Sequence, residues 1–429
     1  MARKYNVLVF PAGTEIAFEI HAALRGNKLF ELYGATSEHC HADFVFRKCI
    51  DGLPYANDPA VIDALNEIID YYNIDFVYPA HDSALLTLTV HKDDLHAQVV
   101  TSQAATVAIC RSKKLTYSLL HHERYCPKVY SGVEYVEEYP VFVKPAVGQG
   151  SVGARKVESS EELRRILSDG TDYVICEYLP GKEYTVDCFT DMNGKLRYVG
   201  QRTRERIRAG IAVRSRFVKT NDFVNSMADH LNHVFTFDGA WFFQVKEDKN
   251  GEPKLMEVVP RIAGTMGLSR NRGVNLPLLT LYNLIGENVE ICPNFNEILL
   301  DRAFISRYKQ NIHYDCVYVD LDDTLIIDGT VNPLLIAFLH QCKNEGISVC
   351  LLTKHAGSIY RELADYCIDP GLFSLIINVA ETDEKWRYIY DPHSIFIDDS
   401  FSERKKVKEN NNIPVFDISM VDGLIDWTA

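Results

Sequence analysis

The stretch "DCVYVDLDDTLII" at 315–327 sets Asp320, Asp322 and Asp323 directly behind four apolar residues. That apolar run reads as a buried strand, which puts the acids at its C-terminal tip. Asp320 and Asp322 lie two apart, hence on one side of an extended strand end. Such a pair can divide a phosphoryl transfer, one carboxylate attacking phosphorus while the other protonates the leaving oxygen. The chemistry needs Mg2+, because an anion attacking an anion is otherwise repelled. Alone, an Asp-x-Asp pattern fits a metal site or a helix cap as well. Three later groups join it: Thr353 closes the strand "VCLLT", Lys385 sits in "TDEKWRYI", and Asp398 and Asp399 close "SIFIDDS". A hydroxyl suits a phosphate oxygen, a lysine neutralises the phosphoryl group, and the last two acids suit a divalent cation.

A second set lies earlier. "FVKPAVGQGSVGARKV" (142–157) places Lys144 at a strand end before a loop with Gly148, Gly150, Ser151 and Gly153. Glycines let backbone N–H groups close over phosphate oxygens, and the lysine adds a point charge. A Gly-rich turn by itself is usually only a turn. "ICEYLPGKEYTVD" follows with Glu177, Glu183 and Asp187, and "WFFQVKEDKNGEPKLMEVVPR" sets Gln244 and Glu257 on successive strands of a hairpin. Those two offer oxygen ligands to Mg2+. Arginines 202, 204, 206, 208, 214 and 216 in "QRTRERIRAGIAVRSRF" fit either the wall of an anionic substrate site or one solvated strand face.

The elements that must hold these residues fall into three textures. From 5 to about 110, strands ("NVLVF", "FELYGAT", "IDFVYPA") alternate with amphipathic stretches such as "PAVIDALNEIIDYYN", which predicts a parallel α/β sheet. "PAGTE" after the first strand occupies the carboxyl-end position where such sheets bind ligands. From 111 to 300 the strands lengthen, with "DMNGK" and "DKNGEP" as hairpin turns, predicting antiparallel α+β structure. From 315 the strand–helix alternation resumes. About thirty residues separate Asp320 from Thr353, and again Thr353 from Lys385, which leaves no room for a large inserted cap.

The chain has 429 residues, a formal net charge of −14 and eleven cysteines, none in a Cys-x-x-Cys pair. The acidity argues against a nucleic-acid partner, since backbone phosphates demand a cationic surface. Scattered, odd-numbered cysteines and the lack of a signal-like or membrane-length apolar run predict a cytoplasmic protein with no membrane partner. "SEHCHADF" (37–44) cannot easily converge three adjacent residues on one metal, and His121 and His122 read as helix surface.

The order of features over roughly 5–295 resembles the ATP-grasp superfamily, especially carboxylate–amine ligases similar to the large subunit of carbamoyl phosphate synthetase. By that resemblance Lys113 and Lys144 hold ATP phosphates under the loop of Gly148, Gly150, Ser151 and Gly153. Glu177, Tyr178 and Leu179 form the adenine hinge, and Glu183 holds the ribose. Gln244 and Glu257 ligate Mg2+, and Arg261 steadies an acyl phosphate. The family usually reads Glu-x-Asn-Pro-Arg where this chain reads Glu257-Val258-Val259-Pro260-Arg261, and valine cannot ligate a metal. Residues 315–429 resemble the haloacid dehalogenase (HAD) superfamily of phosphatases. That resemblance makes Asp320 the nucleophile, Asp322 the general acid/base, Thr353 and Lys385 the phosphate binders, and Asp320, Asp322, Asp398 and Asp399 the Mg2+ ligands.

The expected architecture is α/β and α+β multidomain: a Rossmann-like pre-ATP-grasp domain at 1–110, an ATP-grasp domain at 111–300, a connector at 301–314, and an HAD-like Rossmannoid domain at 315–429 without a large cap. The expected function is bifunctional, ATP-dependent ligation of a small-molecule carboxylate to an amine and Mg2+-dependent hydrolysis of a phosphomonoester, in a surface-polysaccharide or natural-product pathway. The alternative is a phosphatase carrying an inactive or regulatory ATP-binding module. Homodimerisation stays open.

Overall fold

The computed structural model describes residues 3–294 and 296–428. Its contacts divide the chain into Met1–Phe304 and Ile305–Ala429. Among the described residues no helix is long and apolar enough to cross a membrane.

The N-terminal unit begins with a five-stranded parallel sheet in the order Cys49–Ile50, Phe30–Ala35, Tyr5–Phe10, Phe76–Pro79, Gln98–Val99. The central strand is apolar on both faces because helices cover both, and Val7 through Phe10 are fully buried. It ends in the Pro11–Thr14 loop. Thr14 then caps the helix Glu15–Leu24, accepting from Ala17 N (3.1 Å) and donating to Ala80 O (2.8 Å). One side chain therefore ties a helix start to the tip of a neighbouring strand.

Two four-stranded antiparallel sheets follow. One orders Val129–Tyr130, Tyr173–Glu177, Val141–Pro145, Arg155–Val157; the other orders Leu196–Thr203, Glu183–Thr190, Gly239–Glu247, Pro253–Val259. The two hairpins expected at "DMNGK" and "DKNGEP" close by one device. Asp191 Oδ1 accepts from the backbone N–H of Asn193 and Lys195, and Asp248 Oδ1 from Asn250 and Glu252, at 2.8–3.0 Å. Gly194 and Gly251 take the positive φ each turn needs. The second sheet packs Trp241, Phe243 and Val245 against helix Asp222–Val234, whose Val224, Met227, Ala228 and Leu231 are buried. A third sheet joins Arg206–Arg208, Ile211–Arg216 and Leu299–Asp301. Asp301, assigned from sequence to the connector, thus pairs in register with Arg214.

The C-terminal unit is a five-stranded parallel sheet in the order Leu375–Asn378, Ser348–Thr353, Cys316–Val319, Ser394–Ile397, Val415–Phe416. All four residues of the middle strand are buried. Between it and Ser348–Thr353 the chain makes one helix, Pro333–Asn344, and a two-stranded hairpin, Ile326–Ile327 with Thr330–Val331. Asp328 and Gly329 both take positive φ at its turn. All eleven cysteines are free thiols.

Candidate functional sites

In the N-terminal unit, Lys144 lies on the strand Val141–Pro145 and is buried, donating to Tyr117 Oη (2.6 Å) and Met256 O (3.2 Å). Lys113 opens the helix Lys113–Leu119 after its Ser112 cap, and its Nζ reaches Gly148 O at 3.2 Å. Arg111 donates to the same carbonyl at 3.1 Å. Burial lowers the Lys113 pKa, Glu257 opposes that and Lys144 reinforces it, so these charges share one locality. The Gly148–Gly153 loop bends through positive φ at Gly150, Ser151 and Gly153. It rests on the tip of the Arg206–Arg216 hairpin so closely that a Cβ on Gly210 would fall 2.3 Å from Gly150 C. Gln244 stands opposite Glu257 in the strand register. A small cavity of about 30 Å³ is lined by Asp82, Arg111, Lys113, Gly148, Glu257 and Val259 among others. The donor set suits a polyphosphate held by cations, with a divalent cation between a carboxylate and an amide oxygen; Val259 contributes no ligand atom.

Arg261 is not free. Its Nε and Nη2 each approach Asp82 Oδ1 at 2.7 Å. Burial would raise the Asp82 pKa, yet Arg261 and Arg111 hold that carboxyl below its usual range. At the expected hinge, Glu177 accepts from Lys128 N at 2.8 Å, Tyr178 faces the Lys156 ammonium 4.8 Å from its ring centre, and Leu179 is buried. Glu183 is engaged by Arg204 (2.6 Å) and Lys246 (3.8 Å). The arginine stripe is neither a uniform wall nor a uniform solvated face. Arg202 is fully buried, bonded to Asp187 at 2.8 and 3.1 Å and to Thr265. Arg206 and Arg214 pair with Asp301, Arg216 pairs with Glu205, and Arg208 stacks over Phe304.

In the C-terminal unit four expected residues converge, three at adjoining strand ends and Lys385 at the start of the 3-10 turn Lys385–Tyr388. Asp320, Thr353, Lys385 and Asp398 are all buried. Lys385 Nζ lies 2.6 Å from Asp398 Oδ2 and 2.7 Å from Asp320 Oδ1. The first contact is an aligned hydrogen bond, and the second is a close ion pair on the Asp320 carboxylate. Thr353 Oγ1 is buried beside the same carboxylate. Burial pushes the Asp320 pKa up to about 6 against the pull of Lys385, and raises that of Asp398. Lys385 itself is raised, its two carboxylates outweighing its burial. Asp399 is exposed, with its N–H on Thr324 Oγ1 at 2.9 Å. Carboxylate oxygens of Asp320, Asp398 and Asp399 lie within 4.8 Å of one another, so these three fit a divalent cation. Asp322 stands outside that triad, 51% exposed, with both its oxygens 3.0 Å from His355 Nδ1.

Two family profiles match the chain, "ATP-grasp in the biosynthetic pathway with Ter operon" over residues 169–301 and "D-ala D-ala ligase C-terminus" over 104–210. No curated protein matches it at significant similarity. Among solved structures, the biotin carboxylase domain of Hydrogenobacter thermophilus 2-oxoglutarate carboxylase, in complex with MgADP, ADP and bicarbonate, superposes with a TM-score of 0.57 at 14% identity, over 68% of this chain and 72% of that one. N5-carboxyaminoimidazole synthetase from Staphylococcus aureus, complexed with ADP, gives 0.55 at 13% identity over 68% and 79%. L-amino acid ligase from Bacillus licheniformis gives 0.52 at 18% identity over 68% and 76%. The N-terminal unit has the ATP-grasp fold. Within the ATP-grasp unit, the profile matches run from just before Lys113 to the strand of Asp301.

Several partners of the candidate residues escaped the sequence. Tyr117 and Asp82 contact Lys144 and Arg261 in the ATP-grasp unit; Thr324 and His355 contact Asp399 and Asp322 in the other. Only Thr324 carried a local signal, since it adjoins the acidic run. His355 lies 33 positions from Asp322, and Asp82 lies 179 from Arg261.

Proposed function

We propose that the chain is a bifunctional enzyme whose ATP-grasp unit ligates a carboxylate to an amine at the expense of ATP, and whose C-terminal unit is an HAD-type phosphatase. The ligase reading rests on one observation: Lys113, Arg111 and the Gly148 loop share a small cavity with Glu257, which faces Gln244 across the hairpin. The lysines and loop amides hold the triphosphate, and Arg261 holds the carboxylate that receives the γ-phosphoryl group. The amine then attacks the acyl phosphate carbon, the carbon–oxygen bond to phosphate breaks, and the products are an amide, ADP and phosphate. Bound Mg2+, on Gln244 and Glu257, would neutralise the phosphate charge.

The phosphatase reading rests on the buried Asp320–Lys385–Asp398 set beside the buried Thr353 hydroxyl. Asp320 attacks phosphorus while Asp322 gives a proton to the departing alcohol oxygen. Water then attacks the aspartyl phosphate, Asp322 takes its proton, and Asp320 is freed with phosphate. Lys385 and Thr353 hold the phosphoryl oxygens. Mg2+ on Asp320, Asp398 and Asp399 would supply charge neutralisation at the same point. The two steps act in sequence if one ligation substrate carries the phosphate.

Untargeted mass spectrometry of a metabolite extract with Mg2+-ATP tests this, comparing wild type with Asp320→Asn. The variant should accumulate a condensation product heavier by one phosphate, with ADP formed by both proteins. Identical products would defeat the sequential scheme. Val259 favours a second reading, an ATP-binding module that regulates the phosphatase; ATP binding without ADP release under any substrate pair would support it.

A further inference from the structure

The ATP-grasp unit contains a charged cluster that no role above employs. Glu19 lies in the helix Glu15–Leu24 that follows the Pro11–Thr14 loop, Arg270 in the short helix Gly267–Asn271, and Arg302 directly after the strand Leu299–Asp301. Three segments remote in sequence converge there. Glu19 Oε2, Arg270 Nε and Arg302 Nη1 are all buried, and none has a hydrogen-bond partner. The direct contact between Arg270 Nη2 and Glu19 Oε2 is long, 3.9 Å. Arg202 adds to the field at Glu19, but its guanidinium is already committed to Asp187 and Thr265. Burial raises the Glu19 pKa while Arg302, Arg270 and Arg202 oppose the rise.

Buried polar groups in folded proteins are nearly always satisfied, and three adjoining orphans call for a partner that the chain does not supply. Two glycines border the cluster. A Cβ on Gly264 would meet nothing nearer than 3.9 Å, and what it would meet at that distance is Arg302 Nη1 and Ile16. At Gly267 the reverse holds: a Cβ would sit 2.8 Å from Glu19 Oε2, so the missing side chain lets the carboxylate lie against the loop. Both glycines belong to the segment that begins at Arg261, the residue assigned to the acyl phosphate.

The unmet groups also state what they would bind. Two guanidinium N–H donors seek an anion, preferably a carboxylate or phosphate that can accept from both. One carboxylate oxygen seeks a donor, and an ammonium supplies one. We propose that Glu19, Arg270 and Arg302 bind the ligase's second substrate as a small zwitterion, its ammonium on Glu19 and its carboxylate or phosphate on the two arginines. This rests on the ligase reading, because it makes the bound amine the acceptor of that reaction.

Isothermal titration of the full chain with Mg2+ and a non-hydrolysable ATP analogue tests it with two matched pairs, L-alanine against propionate and phosphoethanolamine against ethyl phosphate. At least one ammonium compound should bind ten or more times tighter than its desamino partner, and which pair responds distinguishes carboxylate from phosphate. Glu19→Gln should erase the preference. Arg302→Gln should weaken the preferred ligand at least tenfold, with Arg302→Lys recovering part of the loss. Nucleotide affinity should be unchanged in all three variants, which reports that each is folded with its ATP site intact. If neither pair shows a preference, or Arg302→Gln binds like wild type, while the nucleotide still binds, the zwitterion site is refuted and the ligase reading stands. If wild type fails to bind the nucleotide, the ligase reading falls and the proposal falls with it.

Discussion

The two candidate sites handle charge in opposite ways. In the C-terminal unit, Asp320, Lys385 and Asp398 form one buried sandwich at the tips of parallel strands, with the ammonium shared between two carboxylates. In the ATP-grasp unit the charges are settled in separate pairs: Arg261 with Asp82, Arg202 with Asp187, Arg204 with Glu183. Its Gly148–Gly153 loop is held by close backbone approach and positive φ and by the Arg111 and Lys113 side chains on Gly148 O. The first arrangement is preorganised, because strand ends fixed by a buried sheet cannot move without disrupting it. The second divides its charge among pairs that join strands, a helix start and a loop, so that removing one group leaves the others in place.

The contrast breaks most sharply at Asp320. Asp320→Asn should reduce hydrolysis of a generic phosphomonoester by about 10⁴-fold or more, as loss of a nucleophile does. ADP release by the ATP-grasp unit should not change; if both fall together, the sites are not separate. Lys385→Met removes the ammonium between two buried carboxylates and should cost about 3–5 kcal/mol of stability. Chemical denaturation followed by hydrogen exchange should place that loss in residues 305–429 alone. The same sandwich has a pH signature in EDTA. The folded Asp320 pKa, about 6, lies above the ordinary 3.8, so the native state holds this proton more firmly than the unfolded chain. Its stabilising contribution is full below pH 3.8 and is lost as pH rises through about 6. The stability advantage of Asp320→Asn over wild type should therefore widen across that window, and a gap independent of pH would contradict a burial penalty on Asp320 that exceeds the pull of Lys385.

What the sequence disclosed follows from the same contrast. Residues at strand tips were legible, because periodicity locates the strand and the motif residue comes next; Asp320, Thr353 and Asp398 are of this kind. The hairpins at Asp191–Gly194 and Asp248–Gly251 were legible because an Asp side chain and a Gly conformation are local facts. The Ile326–Val331 hairpin had an equally local signal, the Asp328-Gly329 dipeptide, which went unread beside the acidic motif. Charge pairing was not legible. An alternating arginine stripe looks the same whether a residue meets solvent, a substrate or a buried Asp187, and Arg202 meets the last. Asp82 lies too far from Arg261 in sequence for any local pattern to join them, and Arg302 acquires meaning only when Glu19 folds beside it.

The ATP-grasp site should respond more mildly than the proposed phosphatase site, because its charge is shared among more groups. Glu257→Gln should lower ADP formation by about 10²–10³-fold, the usual loss for one electrostatic group at a reacting phosphate, and leave phosphatase turnover intact. The smallest effect is the most informative. Val259 stands on the strand of Glu257 and lines the same cavity, where the ligase motif usually carries a metal-binding Asn. A site that works with water in place of that side chain needs more Mg2+ but is otherwise competent. Val259→Asn adds an oxygen ligand to a hard cation and should lower the Mg2+ concentration for half-maximal ADP formation by about threefold, with little change in the maximal rate. Were the substitution instead to create ADP release where wild type shows none, the native valine would mark a nucleotide sensor, and the sandwich at Asp320 would be the chain's one working active site.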